Sequence, residues 1–183
     1  MWIFIILLLI VVLVVGGGIV LYSGLGSPRN EIEGAWAQID VQLKRRYDLI
    51  PNLVETVKGY ASHEKETLDA VITARNAGMT AEGAHDQAEA ENMLTGALKS
   101  VFALSEAYPD LKANQNFLNL QEELTGTEGR IAYARQFYND SVRTYNTRIE
   151  TFPGNLVAGS FNFGPREYFE VDGDARGPVN VEF

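Results

Sequence analysis

The first 28 residues contain no charged side chain, and from Met1 to Leu21 they are almost solidly Trp, Phe, Ile, Leu and Val, interrupted only by Gly16, Gly17 and Gly18. A helix rises about 1.5 Å per residue, so some twenty such residues cross a hydrocarbon core of roughly 30 Å. All 24 acids and 15 bases follow Pro28. The pattern predicts a membrane anchor over 1–22, then a water-exposed domain. A cleavable signal peptide is the weaker reading: no Lys or Arg precedes the apolar run, the run is too long, and no Ala-x-Ala follows it. With no cysteine, lipid attachment through a thiol, disulfides and Cys-based metal sites are excluded together. Arg29, Lys44, Arg45 and Arg46 flank the downstream side. The positive-inside rule therefore puts the domain in the cytoplasm of a single-pass membrane protein. The net charge of −9 argues against nucleic acid or anionic headgroups as partners of the domain as a whole.

Beyond the anchor, Gly24, Gly26 and Pro28 punctuate 23–28, and three breakers in six residues predict a flexible joint there. From residue 29 to 152 the apolar periodicity is helical. Ile32, Trp36, Ile39 and Leu43 step by four, three and four. Leu53, Val57, Tyr60, Leu68 and Val71 continue with helical spacing, and Ala90, Leu94, Ala97, Val101, Leu104 and Tyr108 form another face. Phe117, Leu124, Ile131, Tyr138, Tyr145 and Phe152 fall seven apart, the repeat of helices that wrap around neighbours. Gly78, Thr80 and Gly83 mark a loop between the second and third helices. Pro109-Asp110 opens a fourth, which runs to about Phe152, where Pro153-Gly154 stops it.

Pro51 has two readings. Lys44, Arg45 and Arg46 suit the end of a first helix and Asp48 the cap of a second, which favours a turn at Tyr47–Pro51. The apolar phase also runs on through Ile50 and Leu53, as a kinked single helix would allow. The favoured turn yields an all-α fold: one transmembrane helix, then an antiparallel four-helix up-and-down bundle over 29–152. An irregular tail over 153–183 follows. Its Phe161, Phe163, Tyr168 and Phe169 are too apolar for a solvated linker, and 179–183 alternates like a short strand.

Two blocks carry a resemblance. The first is Ala35-Trp-Ala-Gln-Ile-Asp-Val-Gln-Leu-Lys-Arg-Arg-Tyr-Asp-Leu-Ile-Pro-Asn-Leu-Val-Glu-Thr-Val-Lys-Gly-Tyr60. The second runs from Tyr108-Pro-Asp-Leu-Lys-Ala-Asn-Gln-Asn-Phe117 through Glu122-Glu-Leu-Thr-Gly-Thr-Glu128 and Arg130-Ile-Ala-Tyr-Ala-Arg-Gln-Phe-Tyr-Asn-Asp140 to Tyr145-Asn-Thr-Arg-Ile-Glu-Thr-Phe-Pro153 and Pro165-Arg-Glu-Tyr-Phe169. Together they resemble the LemA family of bacterial membrane proteins. The resemblance implies an anchored four-helix bundle without established enzymatic activity. It also implies membrane-associated partners, a membrane protease or a TPM-domain protein among them. Where the family joins anchor to bundle with a regular helix, this chain reads Tyr22-Ser-Gly-Leu-Gly-Ser-Pro-Arg-Asn30.

Little chemistry is legible. A di-metal bundle needs two Glu-x-x-His motifs; Glu82-Gly-Ala-His85 is one, beside a loop, and His63-Glu64 lacks the second histidine of a zinc motif. No phosphate-binding glycine loop or nucleophile elbow occurs. The expectation is a protein with no cofactor, no metal and no catalytic residues, an adaptor or scaffold for membrane-associated proteins. A self-associating protein that organises membrane is the alternative. Arg130, Arg135, Arg143 and Arg148 read first as a solvated face and second as a docking strip for an acidic partner. Asn114, Gln115, Asn116 and Asn119 either cap helix ends or bind another chain. Phe183 with its carboxylate could add as a strand to a PDZ-like groove, against the plainer reading of a frayed tail. Trp36, Tyr47, Tyr60, Tyr138, Tyr145 and Phe152 are expected in the core.

Overall fold

The structure, a computed structural model, describes residues 1–170. The strand-like segment 179–183 and Phe183 lie outside the described residues. Those described are all-α: α1 (Trp2–Lys58), α2 (Lys65–Thr80), α3 (Gly83–Ser105), α4 (Pro109–Lys112), α5 (Gln115–Glu150) and α6 (Gly154–Ser160). Two compact units are formed. One comprises Met1–Asp40 and Tyr133–Glu167, the other Val41–Ala132 with the described residues from Tyr168 on. Helices α1 and α5 each contribute to both.

Helix α1 is 57 residues long and its apolar start is not covered by protein. No turn occurs at Tyr47–Pro51, and no break in the helix at 23–28. The physical reason is the same at both places. A proline inside a helix lacks the N–H that would bond the carbonyl four residues earlier, so Pro28 releases the carbonyl of Gly24 and Pro51 that of Tyr47. Each receives an arginine instead. Arg148 Nη1 donates to the Gly24 carbonyl at 3.1 Å, and Arg75 Nε donates to the Tyr47 carbonyl at 2.8 Å. The helix ends at Lys58, where Gly59 to Glu64 form the turn into α2.

In the first unit, Leu25, Ile32, Ala35 and Ile39 of α1 are buried, as are Ala134, Tyr138, Val142, Tyr145 and Ile149 of α5 and Val157 and Ala158 of α6. The Trp36 ring packs on Tyr138 with centroids 5.5 Å apart. The irregular chain after α6 is strapped to α5 by side chains that take up its backbone. The hydroxyls of Tyr138 and Tyr145 donate to the carbonyls of Glu167 and Gly164 at 3.0 and 3.1 Å. The Asn146 amide pairs with Arg166 in both directions at 2.9 Å. Asn162 adopts φ 56° in this strap, a left-handed conformation that Asn tolerates better than most residues. The heptad ends early: Phe152, expected in the core, is 79% exposed because it follows the last turn of α5.

In the second unit the core draws on five helices, with Leu43, Ile50, Leu53 and Val57 of α1, Leu68 and Val71 of α2, Leu94, Leu98 and Val101 of α3, Leu111 of α4, and Phe117, Leu124 and Ile131 of α5 all buried. Residues 109–152 do not form one helix. Asn114 interrupts them, its Oδ1 accepting the Phe117 N–H at 3.0 Å as an N-cap, which makes α4 a separate turn. Of the face expected on α3, Ala90, Leu94 and Val101 are buried and Ala97, Leu104 and Tyr108 half-buried; Ala84, Gln87, Ala88, Glu91, Leu98 and Ser105 are buried as well, which turns the inward face toward them. Tyr60, expected in the core, is 43% exposed, its hydroxyl accepting from Asn114 Nδ2 at 2.9 Å.

Candidate functional site

The polar centre of the second unit is built on α1 and α3. Arg46 continues the buried phase of Ile39, Leu43, Ile50 and Leu53, so helix geometry carries a guanidinium into the core; Glu91 does the same between Gln87 and Leu94. The two side chains are both 3% exposed and meet at 2.7 Å. Arg46 Nη2 also donates to Thr95 Oγ1 at 2.9 Å. The Tyr47 hydroxyl donates to the second oxygen of Glu91. It accepts in turn from Gln87 Nε2 at 2.8 Å, and Gln87 also reaches the Gly78 carbonyl at 3.2 Å. Arg75, which serves the carbonyl of the same Tyr47, closes the group on the α2 side.

Burial, then the Glu91 carboxylate, hold the Tyr47 phenol protonated well above its ordinary range. Above about pH 10 the phenol ionises in the unfolded chain but not in the native one. The unfolded state then binds fewer protons, so stability falls as pH rises. Tyr47→Phe is expected to flatten this alkaline decline in chemical-denaturation curves taken between about pH 10 and 11. Tyr138, raised chiefly by burial, retains part of the slope.

Gly78 is buried in α2 where a Cβ would run into the Tyr47 phenol. That ring is held by Glu91 and Gln87 and has no room to yield. Gly78→Ala is therefore expected to destabilise the protein, although Ala is the better helix former. Overpacking of about 1–3 kcal/mol outweighs a propensity gain of about 1 kcal/mol. The shift in the thermal unfolding midpoint measures the difference.

A second feature of the same unit is a surface groove of about 460 Å³. Asn52, Glu55 and Thr56 of α1 line one side, and Asn116, Asn119, Leu120 and Glu123 of α5 the other. Most of its lining side chains are polar, with amides that both donate and accept, and one of them, Glu123, pairs with Arg45 at 3.5 Å. Of the amide-rich segment, Asn114 is used as a cap, Gln115 bonds Asn119 at 2.9 Å, and Asn116 and Asn119 face the groove.

The arginines of α5 do not form one strip. At about 100° per residue, Arg135 and Arg143 lie about 80° apart, and each lies about 140° from Arg148. Arg148 serves the Gly24 carbonyl, Arg143 pairs with Asp140 at 3.1 Å, Arg135 is half-buried, and Arg130 is exposed in the second unit. Tyr133 and Phe137, one helical turn apart on α5, are 74% and 40% exposed, an aromatic pair the periodicity did not single out. His85 lies 3.6 Å from Glu89 with both exposed. Among the described residues no group of three His, Asp or Glu side chains comes together to hold a metal.

Residues 35–183 match the sequence model of the LemA family. The chain belongs to the LemA family. A LemA protein of Metamycoplasma hominis is 30% identical over 134 residues, which cover 71% of this chain and 60% of that protein. The magnetosome proteins MamQ 2 of Paramagnetospirillum magneticum and MamQ of Magnetospirillum gryphiswaldense are 34% and 33% identical over 74 and 73 residues, each match covering 40% of this chain and 27% of the relative. The matches thus span less than two thirds of each of these relatives. By length and composition, the apolar start of α1 is able to cross a membrane.

Signals for the buried pair were present in the sequence. Residues 39, 43, 46, 50, 53 and 57 keep one unbroken 4-3 phase, as do 84, 87, 91, 94, 98, 101 and 105. Arg46 sits in the first and Glu91 in the second, opposite charges at core positions of two helices.

Proposed function

We propose that this LemA-family protein is a non-enzymatic membrane adaptor whose helices form a four-helix bundle that binds other membrane-associated proteins. The observation that carries the reading is the groove between Asn52 and Asn119. It offers hydrogen-bonding amides on two helices and an ion pair at its rim, but no acid, base or nucleophile set in a catalytic arrangement. Such a surface suits a polar partner segment. The positive-inside rule places the domain on the cytoplasmic face.

Photo-crosslinking residues at Asn52 and Asn119, with Arg135 and Arg143 as a second pair of positions, test this in intact cells. Discrete adducts with one or two heterologous membrane proteins from the groove positions are the expected result. Adducts with copies of the same chain alone would replace the adaptor by self-association, the reading that the exposed Tyr133 and Phe137 favour. Loss of heterologous adducts on deleting 179–183 would show that the carboxyl-terminal segment takes part.

A further inference from the structure

Phe152, Leu156 and Phe161 are 79%, 64% and 59% exposed, three large apolar side chains turned outward within one short stretch. Scattered single apolar residues on a surface are ordinary, but these share a chemical setting. No charged side chain occurs between Glu150 and Arg166. Nothing in the stretch would therefore carry the large penalty of moving an ion out of water. The inward side of α6, Gly154, Val157 and Ala158, is buried, so the short helix has one face on protein and one uncharged face open, with Leu156 between Asn155, Gly159 and Ser160.

The stretch is fastened to α1 at a single level. The rings of Phe161 and Phe163 pack edge-on against Tyr22, with centroids at 5.1 and 5.6 Å. Gly154 lies against Leu25, and at the end of α5 Arg148 bonds the Gly24 carbonyl. Gly154 also sits tightly on the end of α5, where a Cβ would strike the Arg148 backbone. Tyr22 is the first residue with a polar side chain after the apolar run from Met1 to Leu21. Residues 22–25 are thus where the spanning segment leaves the hydrocarbon and meets the headgroups, a level that aromatic rings favour.

We infer that Phe152, α6 and Phe161 form a second membrane contact, an interfacial foot seated in the leaflet from which α1 emerges. The occupant is lipid because the open face lies at the headgroup end of a membrane span and is continuous with it through Tyr22. An element of this kind buries its apolar face about 5–10 Å into the headgroup and acyl boundary. With the span alone, the first unit could rotate about α1. A second contact beside it fixes rotation and tilt, as interfacial anchors do for other spanning helices. The inference rests on residues 1–22 spanning the bilayer.

The absence of cysteine allows unique labelling. Single-cysteine variants Phe152→Cys, Leu156→Cys and Phe161→Cys of the full chain carry a nitroxide in vesicles of phosphatidylcholine and phosphatidylglycerol. Leu8→Cys serves as the reference within the span and Arg143→Cys as the reference in water. All three test positions are exposed, and although Phe161→Cys gives up one ring contact with Tyr22, that of Phe163 remains. Power saturation is expected to show collisions with oxygen exceeding those with a water-soluble nickel complex at 152, 156 and 161, as at position 8, with the order reversed at 143. Labels at the three positions as accessible to nickel as the one at 143 would overturn the foot while leaving the span intact. Shielding from both reagents would overturn it as well, since that marks a protein cover. A label at position 8 that is also open to nickel would remove the spanning reading and the foot together.

Discussion

Glu91→Ala is expected to destabilise the protein by about 3–5 kcal/mol, the loss that follows when one partner of a buried ion pair is removed. Arg46 would keep its charge at a position 2% exposed, with Thr95 as its remaining hydrogen-bond partner. Its Nε is already buried without a bond. The Tyr47 hydroxyl would lose its acceptor in the same step. Guanidinium-induced unfolding of the full-length protein in detergent, followed by helix content, measures the change. The double variant Arg46→Met with Glu91→Met is expected to recover much of the loss, because the cost lies in the stranded charge and not in the missing attraction. A Glu91→Ala protein within about 1 kcal/mol of the parent would mean that water reaches the guanidinium, and that the pair is not buried as described.

Arg75→Met is expected to cost about 1–3 kcal/mol, the penalty of leaving a buried carbonyl without a donor. The mechanism makes a sharper claim than the magnitude. The carbonyl of Tyr47 needs Arg75 only because Pro51 has no N–H to offer. In a Pro51→Ala background, residue 51 can bond that carbonyl itself, and Arg75→Met should then cost clearly less. A double-mutant cycle on unfolding free energies reads this coupling directly. Equal costs of Arg75→Met in the two backgrounds would sink the account. The same logic joins Pro28 to Arg148 through the carbonyl of Gly24.

The two prolines show where sequence reasoning stopped. Local rules treat a proline in a helical pattern as an end or a kink, because they count only the bonds a segment can make with itself. At Pro51 the competing signal was visible, since the 4-3 apolar phase runs from residue 39 to 57 without a slip. At 23–28 no such phase helped, as Gly24, Gly26 and Pro28 leave little to count. The strap after α6 was beyond reach for another reason. Tyr138, Tyr145 and Asn146 read as core and helix residues, and nothing local tells which backbone groups they will meet. Asn114 lay between: its type is right for a cap, but the apolar phase gave no hint of a break after Lys112.

An apolar start long enough to span a membrane, the all-α class and most of the buried positions were legible in the sequence. These rest on properties that each stretch carries alone: uniform apolarity over about twenty residues, and a period near 3.6. Its two long motif blocks were also enough to place the chain among LemA-like proteins. Where helices continue, where they stop and which polar groups meet followed from the packing of distant segments. Arg75 and Arg148 bridge distant parts of the chain to the carbonyls that Pro51 and Pro28 release, and Glu91 reaches Arg46 from another helix. A hydrogen-bonding group left unpaired by its own helix is a local fact. Whether it is satisfied depends on a side chain tens of residues away, and so on the packing of the folded chain.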